Sequence, residues 1–303
     1  MPVEIPFYKT FDAEPGRVYE LSPLLRRVTA DNPSIFTFKG TNTYIIGRGR
    51  VAIVDPGPVS PDHARAILDA VSGETVTHIL VTHTHNDHSP GVPAIKAGTG
   101  APTYGFGPHG AGVKGDWPFA SPEGGDTSFV PDVVVGDGQI VEGDGWSVEA
   151  LHTPGHISNH LCFSVREENV LLSGDHVMGW STSVVSPPDG DMSDYMASLN
   201  KLLGRSETTY WPGHGGAVTD PQPFVRAFIA HRHEREEQIA ACLADGPRTI
   251  PEMVRVMYAN VPEALHRAAA RSVLAHLVHM VDHGDVRSDA GRAGPDAVYS
   301  LPA

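Results

Sequence analysis

The N-terminal part of the chain alternates short apolar runs with breaks that are rich in glycine and proline. Two β-branched runs at 42–46 and 51–54 flank a Gly-Arg-Gly-Arg segment, which predicts a hairpin. Residues 60–71 begin with Ser-Pro and then carry apolar residues at every third or fourth position. This pattern predicts a helix with Ser60 as its N-cap. The apolar run at 76–81 predicts the next strand.

The alternation of predicted strands and helices continues after residue 81, except in one long stretch. Residues 87–96 predict a short helix, but residues 98–138 are rich in Gly and Pro and have no clear period. Such stretches are usually functional or mobile, so residues 105–119 are a candidate substrate loop, with a surface insertion as the alternative. Later apolar runs predict strands at 139–141, 146–151, 161–165, 169–173 and 209–211 and a helix at 194–203. A helix after about every second strand favours the α/β class, with two sheets between helical layers in an αββα sandwich.

The C-terminal part changes character near residue 224 and becomes helical. A helix is predicted at 224–243, and Thr249 with Glu252 three residues later predicts a capping box. An apolar stripe at 263–282 predicts a third helix, which Gly284 ends. Two short runs, 286–288 and 297–299, then flank a Gly-rich turn and predict a two-stranded wing. We therefore expect a catalytic domain at 1–225 and a helical winged-helix domain at 226–303.

Composition and charge limit the classes of partner. The 303 residues carry a formal net charge of −14, and residues 231–303 contain 8 Arg, no Lys and 10 acidic residues. This balance disfavours duplex DNA and anionic membranes, because both are bound largely through cationic side chains. No apolar run approaches the roughly 18–20 residues of a membrane span, and no secretory signal is visible. Cys162 and Cys242 lack metal-type spacing and fit a reducing compartment, so we expect a cytoplasmic protein.

The segment His83–His88 carries three histidines and one aspartate directly after the predicted strand at 76–81. Neutral imidazole is the commonest metal ligand in proteins, and carboxylate is a frequent partner. A strand that ends in such a cluster predicts a metal site. Four more polar residues lie in glycine-containing loops after apolar runs, namely Asp55, His152, Asp175 and His214.

This ordered series, His-x-His-x-Asp-His followed by His, Asp and His, resembles the metallo-β-lactamase superfamily. The resemblance implies an αββα hydrolase fold with two metals. It implies that one metal is held by His83, His85 and His152 and the other by Asp87, His88 and His214, with Asp175 between them. The segments 231–239, 251–258 and 271–277 are similar to the β-lactamase-like protein 2 family, whose animal members are described as mitochondrial endoribonucleases.

The predicted ligand set indicates the metal and the chemistry. Histidine-rich mixed ligation favours two Zn²⁺ ions, with Mn²⁺ or Fe²⁺ as alternatives, over the all-oxygen cages of Mg²⁺ and Ca²⁺. Asp87 and Asp175 are the predicted catalytic residues. We expect Asp55 to orient the ligands, with Thr82, Thr153 and His156 as weaker candidates. His156 and His160 are not expected to bind metal, and a role for them in proton transfer stays open.

The predicted function is a dinuclear zinc-dependent hydrolase that uses a metal-bridging hydroxide on a small ester, thioester or lactone. One alternative is a metal-dependent endoribonuclease that acts on single-stranded RNA. Another is a non-enzymatic winged-helix binding protein with a vestigial site. We expect a small-molecule substrate, neither duplex DNA nor a membrane as partner, and leave a homodimer open. The C-terminal module is expected to form one wall of the active-site cleft or a dimer interface.

Overall fold

The computed structural model describes residues 3–115, 117, 124–260 and 262–302. Within these residues the strands form a seven-stranded sheet, a five-stranded sheet and a small three-stranded sheet. No helix of this described part is long and apolar enough to cross a membrane. Asp116, Pro118 and Phe119 of the predicted substrate loop lie outside the described residues.

The first sheet follows the order of the sequence. Its strands are β1 (Val18–Glu20), β2 (Leu25–Thr29), β3 (Asn42–Ile46), β4 (Arg50–Val54), β5 (Thr75–Leu80), β6 (Thr103–Gly105) and β7 (Val133–Val134). Strands β1 to β4 pair antiparallel and include the predicted hairpin, whereas β4 to β7 pair in parallel. Helices α1 (Pro61–Ala70) and α2 (Val92–Thr99) connect the parallel strands. The Ser60 side chain accepts a hydrogen bond from the His63 backbone N–H, which confirms the predicted cap.

The second sheet has the order β12-β11-β10-β9-β8. Its strands are β8 (Ile140–Glu142), β9 (Ser147–His152), β10 (Leu161–Val165), β11 (Val170–Gly174) and β12 (Thr209–Pro212). Strands β8 to β11 pair antiparallel, and β12 runs parallel to β11 after the crossover helix α3 (Met192–Leu203). The parallel pair places the C-terminal ends of β11 and β12 at the same edge of the sheet.

Three apolar layers hold this domain together and confirm the αββα sandwich. The middle layer fills the space between the sheets and includes Ile46, Val54 and Phe163, all fully buried. A second layer packs α1 and α2 on the outer face of the first sheet. A third packs α3 and helix α4 (Pro221–Leu243) on the outer face of the second sheet. Burial of these apolar faces is the main stabilising contribution to such a layered fold.

The C-terminal part has its own apolar core and confirms the predicted winged helix. Its elements after α4 are β13 (Arg248–Thr249), α5 (Ile250–Met257), a 3-10 turn (Glu263–Leu265), α6 (His266–Asp282), β14 (Arg287–Ser288) and β15 (Val298–Ser300). The capping box of Thr249 and Glu252 is present. Strands β14 and β15 form the wing, and β13 pairs with β15 as a third strand. Helix α4 runs across positions 225 and 226, where the domain division was predicted.

The structure differs from the prediction in three regions. Strands β1 and β2 are not evident in the apolar pattern, because β2 carries Arg26 and Arg27, which are both buried. Helix α2 begins at Val92 rather than at residue 87, since the metal-motif segment forms turns before it. The stretch 98–138 contains the two short strands β6 and β7, which extend the first sheet.

Candidate metal centre

Several loops meet at one edge of the two sheets, where strands end. Asp55 follows β4, the segment His83–His88 follows β5, Asp175 follows β11 and His214 follows β12. The loop between β9 and β10 brings His156 to the same place. Because β4 is parallel to β5 and β11 is parallel to β12, their C-terminal ends lie side by side. The crevice beyond such strand ends is a common place for binding sites in α/β proteins.

One group of donors consists of three imidazoles. Nδ1 of His85 lies 3.1 Å from Nε2 of His83 and 2.9 Å from Nε2 of His156. The His83 side chain is buried, and that of His85 is half-buried. Donor atoms around one zinc ion lie a little over ~3 Å from one another, because each zinc–nitrogen bond is about 2.0–2.1 Å long. The three nitrogens therefore have the spacing of a single coordination sphere.

A second group combines imidazoles with carboxylates. Nε2 of His214 lies 3.2 Å from Oδ2 of Asp87 and 3.3 Å from Oδ2 of Asp175. Nε2 of His88 lies 3.5 Å from Oδ1 of Asp175 and 3.7 Å from Oδ2 of Asp87. Oδ2 of Asp175 is also 3.7 Å from Nε2 of His156, so this one carboxylate faces both groups.

The structure thus brings together six of the seven residues predicted as ligands, but not His152. The six are His83, His85, Asp87, His88, Asp175 and His214. His152 is the last residue of β9, and its ring stacks on Phe106 with 3.9 Å between the ring centroids. Its Nε2 lies 3.0 Å from the Ser158 carbonyl oxygen. His152 is therefore outside the cluster, contrary to the sequence prediction.

His156 occupies the position that was expected for His152, because of the turn between Pro154 and His156. Gly155 has a φ of +130°, a backbone conformation that residues other than glycine rarely adopt. The chain reverses there, and Gly155 lies directly against the backbone of Tyr195 in α3. The signal that could have identified His156 is this glycine, since a Pro-Gly pair marks a turn, and the residue after a turn lies elsewhere than the strand residue before it.

Most of the imidazoles in the cluster are oriented through their second nitrogen. Nδ1 of His156 is 2.6 Å from the Val184 carbonyl oxygen, and Nδ1 of His214 is 3.3 Å from the Gly40 carbonyl oxygen. Nδ1 of His83 is 2.9 Å from the Thr82 hydroxyl. An N–H that donates to a carbonyl fixes the tautomer and leaves the other nitrogen with a lone pair for a metal.

Asp55 orients His88 in the same way, and it also holds the neighbouring backbone. Its carboxylate accepts hydrogen bonds from Nδ1 of His88 at 2.8 Å, from the Thr82 hydroxyl at 2.6 Å and from the Thr82 backbone N–H at 2.7 Å. Asp55 has a φ of +52°, in the left-handed region that few residues other than glycine adopt. This placement agrees with the orienting role expected for Asp55 and Thr82.

Burial and charge divide the cluster into neutral and charged donors. Burial lowers the pKa of His85 to about 3 and that of His83 well below its usual range, so both rings are neutral. For His214, burial alone would lower the pKa, but the Asp175 and Asp87 carboxylates outweigh it and raise the pKa to about 9. Burial would also lower the pKa of His88, but the Asp87, Asp175 and Asp55 carboxylates outweigh it and raise this pKa well above its usual range. The second group of donors, which contains the two carboxylates, therefore attracts positive charge.

Two buried atoms show that the cluster suits cations. Nε2 of His88 and Oδ1 of Asp175 have no hydrogen-bond partner among the described residues. A buried polar atom without a partner costs about 1–3 kcal/mol, and native proteins avoid this cost unless a ligand, an ion or water supplies the partner. Neutral imidazoles in one group and carboxylates in the other match the donors that Zn²⁺ prefers. The residues present therefore fit a metal ion in each group.

A cavity of about 370 Å³ opens above the cluster. Its apolar lining consists of Ile35, Phe36, Met178, Trp180 and Val184. Polar lining residues are the cluster members His85, Asp87, His156, Asp175 and His214, together with Ser34, Thr37, Asn86, Ser181, Thr182 and Arg271. The described part of the stretch 98–138 does not line the cavity. Arg271 comes from α6, which confirms that the C-terminal module forms part of one wall.

Comparison with known proteins identifies the family. The model of the metallo-beta-lactamase superfamily matches residues 36–214, which is more than half of the chain. The chain belongs to the metallo-β-lactamase superfamily. The model of the beta-lactamase associated winged helix domain matches residues 249–293. Together with the fold, these matches and the thioesterase and lactamase-like relatives below show that the protein is a hydrolase.

Two curated relatives are informative about the subgroup. A "Beta-lactamase-like protein 2 homolog" of Drosophila melanogaster is 32% identical over 89% of this chain and 92% of its own length. An "Atrochrysone carboxyl ACP thioesterase" of Claviceps purpurea is 34% identical over 75% of this chain and 67% of its own length. The first relative confirms the resemblance to the β-lactamase-like protein 2 family.

Solved structures confirm the fold over nearly the whole chain. A beta-lactamase domain protein from Burkholderia ambifaria has a TM-score of 0.78 at 20% identity and covers 98% of this chain and 97% of its own. A metallo-beta-lactamase family protein from Thermus thermophilus has a TM-score of 0.74 at 24% identity and covers 93% of this chain and 100% of its own. Both likenesses therefore extend over the N-terminal domain and the winged-helix part of this chain.

Proposed function

We propose that this hydrolase cleaves a small thioester, or a closely related ester or lactone, with two bound zinc ions. The observation that carries the proposal is the cavity, which joins an apolar lining to the exposed side of both donor groups. Its volume of about 370 Å³ is at the lower end of the roughly 300–1,000 Å³ of small-molecule sites. The thioesterase from Claviceps purpurea is a relative of this chain and supports the same reaction class.

The two ions would be held by the two donor groups. His83, His85 and His156 would hold the first ion. Asp87, His88 and His214 would hold the second, and the Asp175 carboxylate faces both. Zinc is favoured over Mn²⁺ and Fe²⁺ because most of the donors are imidazole nitrogens in a compact arrangement. The predicted ligand His152 is replaced by His156 in this assignment.

When bound, such ions polarise the scissile carbonyl and supply a water-derived nucleophile near neutral pH, so no serine or cysteine is required. The residues of the chain then position the reactants. Asp55 holds His88 and Thr82, and Val184 fixes the ring of His156. His160 accepts a hydrogen bond from the backbone N–H of Asp175, which fixes the position of that carboxylate between the donor groups.

The residue types of the described lining favour a thioester. Outside the proposed ligands, these residues are apolar side chains, hydroxyls, Asn86 and Arg271, and they include no histidine, carboxylic acid or cysteine that could serve as a general acid. A thiol has a pKa of about 8.5 and departs as a thiolate without general-acid help. An amine or alkoxide is a much poorer leaving group and normally needs a proton from a positioned acid. The site is therefore suited to a good leaving group.

The apolar lining would bind the acyl part of the substrate. Ile35 is 70% exposed and Phe36 is 54% exposed at the cavity, so two large apolar side chains face solvent beside the reaction centre. Covering them with an acyl group would gain free energy at roughly 25 cal/mol per Å² of buried apolar surface. Among the described lining residues outside the proposed ligands, Arg271 is the single cationic side chain, whereas a nucleic-acid backbone is bound through several. A small acyl substrate therefore fits the cavity better than RNA.

The test is a substrate panel with the zinc-loaded protein. One acyl group is presented as its thioester, oxygen ester, lactone and amide, beside a phosphodiester and single-stranded RNA. We expect the highest kcat/KM for the thioester and no turnover of the amide. The His214→Ala variant is the inactive control, because it removes a proposed ligand without touching the apolar lining. Cleavage of RNA or phosphodiester without thioesterase activity would replace this proposal by the ribonuclease alternative.

A further inference from the structure

Arg271 is a feature of the cavity that the hydrolysis reaction itself does not require. Among the described lining residues it is the single cationic side chain outside the proposed ligands. It is also the single lining residue of this described set that comes from the winged-helix part, in α6. The C-terminal module therefore contributes one positive charge to a cavity whose other walls belong to the catalytic domain.

The packing of α6 holds Arg271 at this place. Ala275 lies one turn after Arg271 on the same face of the helix and is fully buried in the core formed with Tyr195 and Phe228. Val278, on the next turn of that face, lines a small crevice together with Asp194 of α3. This face of α6 is thus packed on the catalytic domain, and the position of the Arg271 backbone is set by that packing.

The charge balance of the cavity makes this arginine an attractor for anions. Asp87 and Asp175 are the carboxylates of the described lining, and bound metal ions would offset their charge. Apart from the proposed metal ligands and Arg271 itself, the rest of the described lining is apolar or carries hydroxyl and amide groups, which screen a guanidinium less than bulk water does. A guanidinium has five N–H donors, so it can keep contacts within the protein and still bind a carboxylate or phosphate.

We propose that Arg271 forms an anion subsite in the active-site cavity and selects substrates that carry an acidic group. This inference rests on the proposed thioesterase function and adds the class of substrate, an acyl thioester with a negative charge. The charge is either a carboxylate on the acyl part or a phosphate on the thiol part. Both would accept paired hydrogen bonds from the guanidinium.

The experiment compares three thioesters that differ in one group. Butyryl-N-acetylcysteamine is neutral, succinyl-N-acetylcysteamine carries a carboxylate on the acyl part, and butyryl-4′-phosphopantetheine carries a phosphate on the thiol part. Each is assayed with the wild-type enzyme and with Arg271→Gln, Arg271→Lys and Arg267→Gln. Arg267 lies one turn earlier on α6, is exposed and does not line the cavity, so its variant controls for loss of one charge from the same helix.

The expected result is a change in selectivity. In Arg271→Gln the ratio of kcat/KM for one charged substrate to kcat/KM for the neutral one falls at least about tenfold, as expected for losing a hydrogen bond to a charged group. Arg271→Lys restores part of the ratio, and Arg267→Gln keeps it. The substrate that loses the advantage identifies the carboxylate or the phosphate as the recognised group. An equal loss on all three substrates, or no loss on any, overturns the anion subsite.

A binding measurement separates this inference from the proposed function. Thioether analogues of the neutral, succinyl and phosphopantetheine substrates cannot be hydrolysed, and their affinities are measured by calorimetry with the full-length protein. Tighter binding of either charged analogue that disappears in Arg271→Gln supports the subsite even if the wild-type enzyme hydrolyses no thioester. Equal affinities in wild type and variant overturn it, whatever the enzyme hydrolyses.

Discussion

Nε2 of His156 lies 2.9 Å from Nδ1 of His85, although 71 positions separate the two residues in the sequence. His152, four residues before His156, stacks on Phe106 and takes no part in either donor group. Substituting these two histidines in turn therefore offers a direct test of which residue binds metal.

Replacing His156 by Ala should remove metal and activity, whereas His152→Ala should keep both. The reason is that His156 supplies one of the three nitrogens of the first group, and His152 supplies none. We expect about two zinc ions per chain in the wild type and His152→Ala, and about one or fewer in His156→Ala. Hydrolysis should fall at least about 100-fold in His156→Ala, since loss of an orienting partner alone costs 10–100-fold. Elemental analysis and kcat/KM measure both; full zinc in His156→Ala would contradict the assignment.

Replacing Asp55 by Asn should weaken zinc binding by about 10–100-fold while leaving the fold intact. Asn fits the left-handed backbone at a φ of +52°, but its amide cannot accept the hydrogen bonds from both Thr82 and His88 as a carboxylate does. Competition with a chelator of known affinity measures the zinc constant, and circular dichroism monitors the fold. Unchanged zinc affinity in a folded Asp55→Asn would show that this carboxylate does not orient the site.

Replacing Gly155 by Ala should destabilise the protein by at least about 2 kcal/mol. A Cβ at this position would lie 2.3 Å from the Cα and the backbone nitrogen of Tyr195, and the φ of +130° is strained for alanine. Gly294→Ala is the matched control, because an added Cβ there meets no atom within 4 Å, and its effect should stay within about 0.5 kcal/mol. Denaturant unfolding measures both. Equal stabilities of the two variants would contradict the close approach.

Replacing His279 by Gln should change how stability depends on pH. Glu236 lies 2.9 Å from Nδ1 of His279 and raises the pKa of that imidazole, while burial opposes it. Burial would raise the pKa of Glu236, but His276 and His279 outweigh it and lower it to about 2, so this carboxylate is ionised above pH ~4. Burial lowers the pKa of His276 to about 4, so this imidazole is neutral above pH ~6.

An imidazole whose pKa is higher in the folded state than in the unfolded state stabilises the fold when the pH is below its unfolded-state pKa of about 6.5. This contribution disappears as the pH rises through the folded-state pKa. The thermal midpoint of the wild type should therefore exceed that of His279→Gln most near pH 6, and the difference should shrink towards pH 9. His283→Gln is the control for loss of a neighbouring imidazole: His283 is exposed, its Nδ1 lies 2.8 Å from the His279 carbonyl oxygen and its ring centroid lies 4.2 Å from that of His279. A difference that grows with pH would refute the ion pair.

Local patterns predicted the hairpin, the capped helices and the wing, because caps and turns act within a few residues. Ser60 reaches the His63 N–H three positions away, and Thr249 reaches Glu252 in the same manner. Strand β2 could not be predicted in this way. Its Arg26 is buried because Glu74 and the Ala70 carbonyl oxygen, more than 40 positions away, accept its hydrogen bonds. The local pattern of apolar and polar residues carries no information about hydrogen-bond partners this distant, so the burial of Arg26 could not be predicted from it.

The site was predictable as far as residue type and order carry the information. The segment His83–His88 and the residues Asp175 and His214 converge because each follows a strand of a parallel pair. The choice between His152 and His156 depends instead on a turn, since one residue ends β9 and the other follows the reversal at Gly155. Arg271 was not predicted in the cavity, because its position comes from packing of α6 on a distant part of the chain.

The burial of Ala275 among Tyr195 and Phe228 has a consequence for how such enzymes diversify. A winged-helix module that inserts a side chain into the neighbouring domain's core cannot be exchanged freely between relatives, because a foreign helix must present an equally small residue there. A point substitution at Arg271, whose side chain lines the cavity, carries no such constraint. New substrate preferences in this lineage should therefore arise by single changes on α6 rather than by recombination of whole modules.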